Sequence, residues 1–99
     1  MSIDYGKKLR EIRKAEKLTQ KSMSDITGIA LSAIRNYETQ DVSVGISIVE
    51  RVLAVDIFRK YTLWLMTDTT APEAGQVSPA LAHYGPEKEI SYRSNQKIG

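Results

Sequence analysis

Along the first two-thirds of the chain, apolar residues recur at spacings of three and four, the repeat of helices that each bury one side. Tyr5, Leu9 and Ile12 set the pattern, with Lys and Arg between them, and predict an amphipathic helix from Ile3 to Lys17. Thr19 then offers a side-chain oxygen as an N-cap, and Met23 and Ile26 supply the inward side of a second, short helix. Gly28 closes that helix, because a residue without Cβ takes the left-handed conformation at little cost. A third helix is expected from Leu31 to Glu38, with Ile34 and Tyr37 inward, and a loop from Gln40 to Gly45. Ser47 and Glu50 have capping-box spacing, and Ile48, Val49, Val52 and Leu53 predict an apolar fourth helix in the middle of the core. This run lacks the alternation of a half-buried strand. A last short helix is expected from Thr62 to Met66, with Leu63, Trp64 and Met66 closing the bundle.

After residue 67 the pattern stops. Thr, Pro, Gly, Ser and isolated charges take over, with prolines at 72, 79 and 86. Such a stretch buries too little apolar surface to fold alone, although Val77, Leu81, Tyr84, Ile90 and Tyr92 can pack on another surface. The expected fold class is therefore all-α: a compact five-helix bundle over 1–67 and an extended C-terminal arm over 68–99. A chain of 99 residues with 41% hydrophobic content supports one core of this size and not two.

Charge narrows the function more than composition does. The net charge is only +2, yet residues 1–40 hold eight Lys or Arg against five Asp or Glu, so the positive excess sits at the N-terminal end. Cysteine is absent, which excludes disulfides and thiolate metal sites. The single histidine, His83, lies in the arm without acidic neighbours at ligand spacing, and no glycine-rich phosphate loop or nucleophile elbow occurs. No catalytic residue, metal site or cofactor is expected, and the protein reads as a non-enzyme. The charges at Lys7, Lys8, Arg10, Glu11, Arg13 and Lys14 interrupt any signal peptide, and no apolar run approaches the roughly 20 residues of a membrane span. A soluble, cytoplasmic protein with no membrane partner is expected.

Two short helices around a glycine turn, over residues 19–38, have the proportions of a helix-turn-helix, whose first helix braces on DNA and whose second enters the major groove. The particular residues add to this. Leu18-Thr19-Gln20, Gly28 eight residues after Gln20, Ile34, Tyr37-Glu38, Arg13 and Trp64-Leu65 together strongly resemble the lambda-repressor and Cro-like family, also called XRE, over roughly residues 5–67.

The resemblance implies roles residue by residue. Gln20 matches the glutamine that opens the second helix and meets a DNA phosphate, with Lys21 beside it either a further phosphate contact or an ordinary polar residue. Arg13 and Glu38 match an ion pair between the first helix and the end of the recognition helix. Base-reading positions fall on Ala30, Leu31, Ser32, Arg35 and Asn36. Arg35 has the donors for guanine and Asn36 those for adenine or a phosphate, while Ala30 and Leu31 serve either thymine methyls or packing at the helix start. Better-known members carry polar residues there, so this chain departs from them. It also lacks the usual basic or proline-bearing loop after the recognition helix, leaving backbone N–H groups of Thr39 to Ser43 for phosphate. So few charge contacts per subunit favour a homodimer on a palindromic operator in double-stranded DNA.

The resemblance thus implies a sequence-specific transcriptional regulator, a repressor of bacterial or phage type. The competing reading is a protein-interaction module, such as an antitoxin whose residues 68–99 order on a partner protein.

Overall fold

The computed structural model describes residues 4–40 and 42–80, which form five α-helices, two 3-10 segments and no strand. Helix α1, Tyr5–Ala15, starts where the Asp4 carboxylate accepts the Lys7 N–H at 3.1 Å. It places Leu9 and Ile12 in the core with no exposed surface. It ends two residues before the expected limit, because Lys17 takes a left-handed φ of 59°. Helix α2, Gln20–Thr27, is capped as expected: the Thr19 hydroxyl oxygen accepts the Ser22 N–H at 3.0 Å, and Gly28 leaves the helix at φ 76°.

One inward residue of α2 is reassigned. Met23 is fully buried, but Ile26 keeps 42% of its surface exposed, and Thr27 takes the inward place one residue later. The Thr27 hydroxyl pays no penalty for burial, since it donates to the Met23 carbonyl and accepts the Ile29 N–H. Ile29, between the helices, then plugs the core.

Helix α3, Leu31–Thr39, buries Ile34, Tyr37 and Glu38. Helix α4, Ile46–Leu53, buries Val49 and Val52 and half-buries Ile48 and Leu53. The expected Ser47–Glu50 capping box does not form: the helix starts at Ile46, so Ser47 is already inside it, and Gly45 caps with no side-chain bond. A 3-10 segment, Asp56–Tyr61, follows and contributes Phe58 and Tyr61 to the core, both fully buried. In α5, Thr62–Thr67, the residue that closes the bundle is Leu65, whereas Leu63, Trp64 and Met66 are half-buried around it.

Residues 68–80, the described part of the expected arm, lie against this end of the bundle. Asp68 turns the chain at φ 64°, and a bridge between Ala71 and Gln76 closes around the 3-10 segment Pro72–Ala74. The Gln76 amide accepts the Leu63 N–H and donates to the Arg59 carbonyl, and the Val77 N–H donates to the Lys60 carbonyl. Val77 packs on the core; Leu81, Tyr84, Ile90, Tyr92 and His83 lie outside the described residues.

Lys8 ties the two ends of the helical run together. Its ammonium donates to the Trp64 carbonyl at 2.6 Å and pairs with Asp68 at 2.7 Å. It also stands 4.4 Å from the centre of the Trp64 ring. A cation there satisfies carbonyls that the end of α5 leaves open.

Candidate nucleic-acid interface

Helices α2 and α3 are joined by three residues, 28–30, and α3 lies across α1 and α2. Its buried side holds Ile34, Tyr37 and Glu38, which leaves Ser32, Arg35, Asn36 and Thr39 on the opposite, exposed side at helical spacing. Ala30 is exposed just ahead of the helix as its N-cap, while Leu31 is half-buried. The Arg35 guanidinium makes no hydrogen bond or ion pair with the described residues, so its donors all face outward.

Glu38 anchors the other side. Its carboxylate, with 1% of the side chain exposed, accepts two bonds from the Arg13 guanidinium, each 2.8 Å long, and a third from the Gln20 amide nitrogen at 3.0 Å. A remaining Arg13 donor holds the Leu18 carbonyl at 2.8 Å, in the turn between α1 and α2. One carboxylate therefore fixes the relative placement of three helices. Burial on its own pushes the Glu38 carboxyl up, but the bonds from Arg13 and Gln20 and the charges of Arg13 and Arg10 outweigh it and hold the group below the usual carboxylate range. The same pairing raises the Arg13 guanidinium further, so both partners are charged at every ordinary pH.

Two close features complete the α1–α3 contact. The backbones touch at Gly6, where a Cβ would run into the Tyr37 carbonyl oxygen. The Tyr37 hydroxyl is buried and finds no hydrogen-bond partner among the described residues; burial first, and then the Glu38 charge, push its ionisation above the ordinary phenol range. Tyr61, by contrast, donates to Glu16 at 2.6 Å, and Lys60 shares that carboxylate at 2.9 Å.

Of the residues expected to meet DNA, Ser32, Arg35 and Asn36 share the exposed side of α3, Ala30 and Leu31 stand at its start, and Gln20 and Lys21 open α2, with two differences of detail. Gln20 is half-buried and spends one amide N–H on Glu38, a bond that no sequence spacing reveals because the two residues stand 18 apart. Lys21 is exposed but pairs with Asp25 at 2.7 Å, one helical turn on. The buried place of Lys8 is likewise invisible in residue order, since a lysine in a basic helix carries no mark of burial. Among the described residues, no group of three His, Asp or Glu stands close enough to hold a metal ion, and no helix is long and apolar enough to cross a membrane.

Two comparisons bear on this arrangement. A helix-turn-helix family matches residues 9–55, from within α1 to just past α4. Over its full length the chain is 37% identical to Repressor protein C of Escherichia phage P2, and the match covers 100% of both proteins.

Proposed function

The chain belongs to the helix-turn-helix family, in its lambda-repressor/Cro-like (XRE) form, and on that premise we propose that it is a transcriptional repressor that reads duplex DNA in the major groove through α3. The observation that carries this is the exposed row Ser32, Arg35 and Asn36 on a helix whose other side is locked by Ile34, Tyr37 and the buried Arg13–Glu38 pair. A rigid mount and unspent donors are what base readout needs. Arg35 reads guanine with two parallel bonds, Asn36 reads adenine or holds a phosphate, and Ala30 and Leu31 lie at the helix start where thymine methyls come close.

Gln20 positions the duplex rather than specifying it. Its side chain is held by Glu38, so its remaining amide N–H and the start of α2 are presented together to one phosphate. Lys21 exchanges its exposed bond to Asp25 for a neighbouring phosphate. With only Lys21 and Arg35 as cations on α2 and α3, the protein acts as a homodimer on two half-sites of an operator, in the cytoplasm with the DNA.

Selection of bound sequences from a random duplex pool tests this. An enriched pair of half-sites is expected, and their arrangement and spacing report the symmetry of the dimer. Arg35→Ala should relax one base position by about 1–3 kcal/mol, and Lys21→Ala should lower the salt slope by about one without changing the preferred sequence. Enrichment of no sequence at low ionic strength, or Arg35→Ala with unchanged preference, would refute the reading. Sedimentation of the free protein and of the complex separately tests the dimer.

A further inference from the structure

Contacts to DNA through α2 and α3 leave the outer side of α1 without a task. Six of the described Lys and Arg side chains are spent inside the molecule: Lys8, Arg13, Lys21, Arg51, Arg59 and Lys60 each hold a carbonyl or a carboxylate. The others are Arg35 and, on α1 and its exit turn, Lys7, Arg10, Lys14 and Lys17, and none of these side chains makes a hydrogen bond or ion pair among the described residues.

Their placement is ordered. Lys7, Arg10 and Lys14 stand at i, i+3 and i+7 on α1, all exposed, on the side opposite Leu9 and Ile12; the exposed Glu11 shares that side but makes no ion pair with them among the described residues, so the stripe keeps an excess of positive charge. Lys17 follows in the turn that leads to Thr19 and the start of α2. This stripe borders the recognition helix. Lys7 lines a cleft of about 380 Å³ with Asp4 at the start of α1 and with Tyr37, Glu38, Thr39 and Gln40 at the end of α3, and the Arg10 charge reaches the buried Glu38.

A solvated basic face is the ordinary explanation of exposed lysines. Here, however, four cations with no hydrogen bond or ion pair among the described residues lie in succession between the end of α3 and the start of α2, the two points where the duplex backbone is expected to meet the protein. From Lys7 to Lys14 the helix rises about 10 Å, the axial length of about three successive phosphates on one strand. We propose that the outer side of α1 is a second phosphate-binding surface that holds the DNA backbone beyond the base pairs read by α3. The proposal rests on the reading of α3 for its position on DNA, but not for the charge contact itself.

The test uses the full chain and two duplexes: one limited to the selected site, the other extended by about ten base pairs, one helical turn, on each side. The variant carries Lys7→Gln, Arg10→Gln, Lys14→Gln and Lys17→Gln, side chains with no bonds to lose, and circular dichroism verifies its fold. For the wild type, the longer duplex should show the steeper salt dependence. The variant should lose about three units of slope on the long duplex, which is about 60-fold in affinity across a fourfold change in salt, and keep the same preferred sequence. An unchanged slope on the long duplex overturns the proposal, and so does an equal loss on both duplexes. Should the wild type select no sequence at all, the reading of α3 fails instead, and the stripe is still decided by the same slopes on arbitrary duplexes of the two lengths.

Discussion

Replacing Arg13 by methionine keeps most of the unbranched stem and removes the charge, leaving the Glu38 carboxylate in place with only the Gln20 amide at 3.0 Å. Because 1% of the Glu38 side chain is exposed, water cannot replace the two 2.8 Å bonds that are lost. One-sided removal of a buried ion pair costs about 3–5 kcal/mol, and the Leu18 carbonyl loses its donor for about 1 kcal/mol more. A domain of about 80 residues is stable by roughly 4–12 kcal/mol, so the variant should be close to unfolding at room temperature. Adding Glu38→Gln removes the stranded charge and should recover at least about 2 kcal/mol, though not everything, since Leu18 remains unsatisfied.

The pH dependence carries its own sign. In the wild type the Glu38 pKa is depressed by folding, so its contribution is present above the ordinary carboxylate range and is lost as pH falls through the lower folded value. Without Arg13, burial goes unopposed by the guanidinium and the folded pKa rises above the unfolded one. The contribution is then complete at low pH and drains away as pH rises. Urea unfolding followed by circular dichroism across the acid range reads both effects. A cost under about 1 kcal/mol with the wild-type slope would mean that the pair behaves as a solvated surface contact, and the argument for a buried anchor would fail.

Three further outcomes follow from packing. Gly6→Ala should cost at least about 2 kcal/mol, because its Cβ meets backbone rather than a side chain able to move; an unchanged melting temperature would contradict that contact. Tyr37→Phe should be neutral or stabilising, since the hydroxyl it removes has no partner, and a loss above about 1 kcal/mol in urea unfolding would expose one. Tyr61→Phe provides the contrast: it removes a 2.6 Å bond to Glu16 and should cost about 1–2 kcal/mol, so equal behaviour of the two substitutions counts against both assignments.

Local chemistry explains which parts of this fold are readable from residue order. Thr19 and Gly28 act through their own backbone neighbours, so the limits of α2 are visible without tertiary information. Ile34 and Tyr37 follow the helical period, and their inward placement leaves Ser32, Arg35 and Asn36 outside by geometry alone. Ile26 misleads because both i+3 and i+4 from Met23 lie on the same flank, and a threonine that satisfies its own hydroxyl takes the inward place. The core role of Phe58 and Tyr61 hides in a 3-10 segment, where side chains three apart eclipse, and the charges of Asp56, Arg59 and Lys60 dilute the apolar signal. The Gln20–Glu38 bond is a different case: an amide serves a carboxylate or a phosphate equally well, and only the folded chain decides which one is near.

The lysine that reaches from the first helix to the last gives the molecule a closed circuit. Residues 56 apart in sequence share one ammonium, and the same helix is clasped on its other flank by the glutamate of α3. Opening either clasp frees the helix that both depend on, so the bundle has no outer layer to shed first. Amide protons in α1, α3 and α5 should therefore exchange with solvent at one common free energy, and the surface that faces DNA should either be whole or be lost together with the rest of the domain.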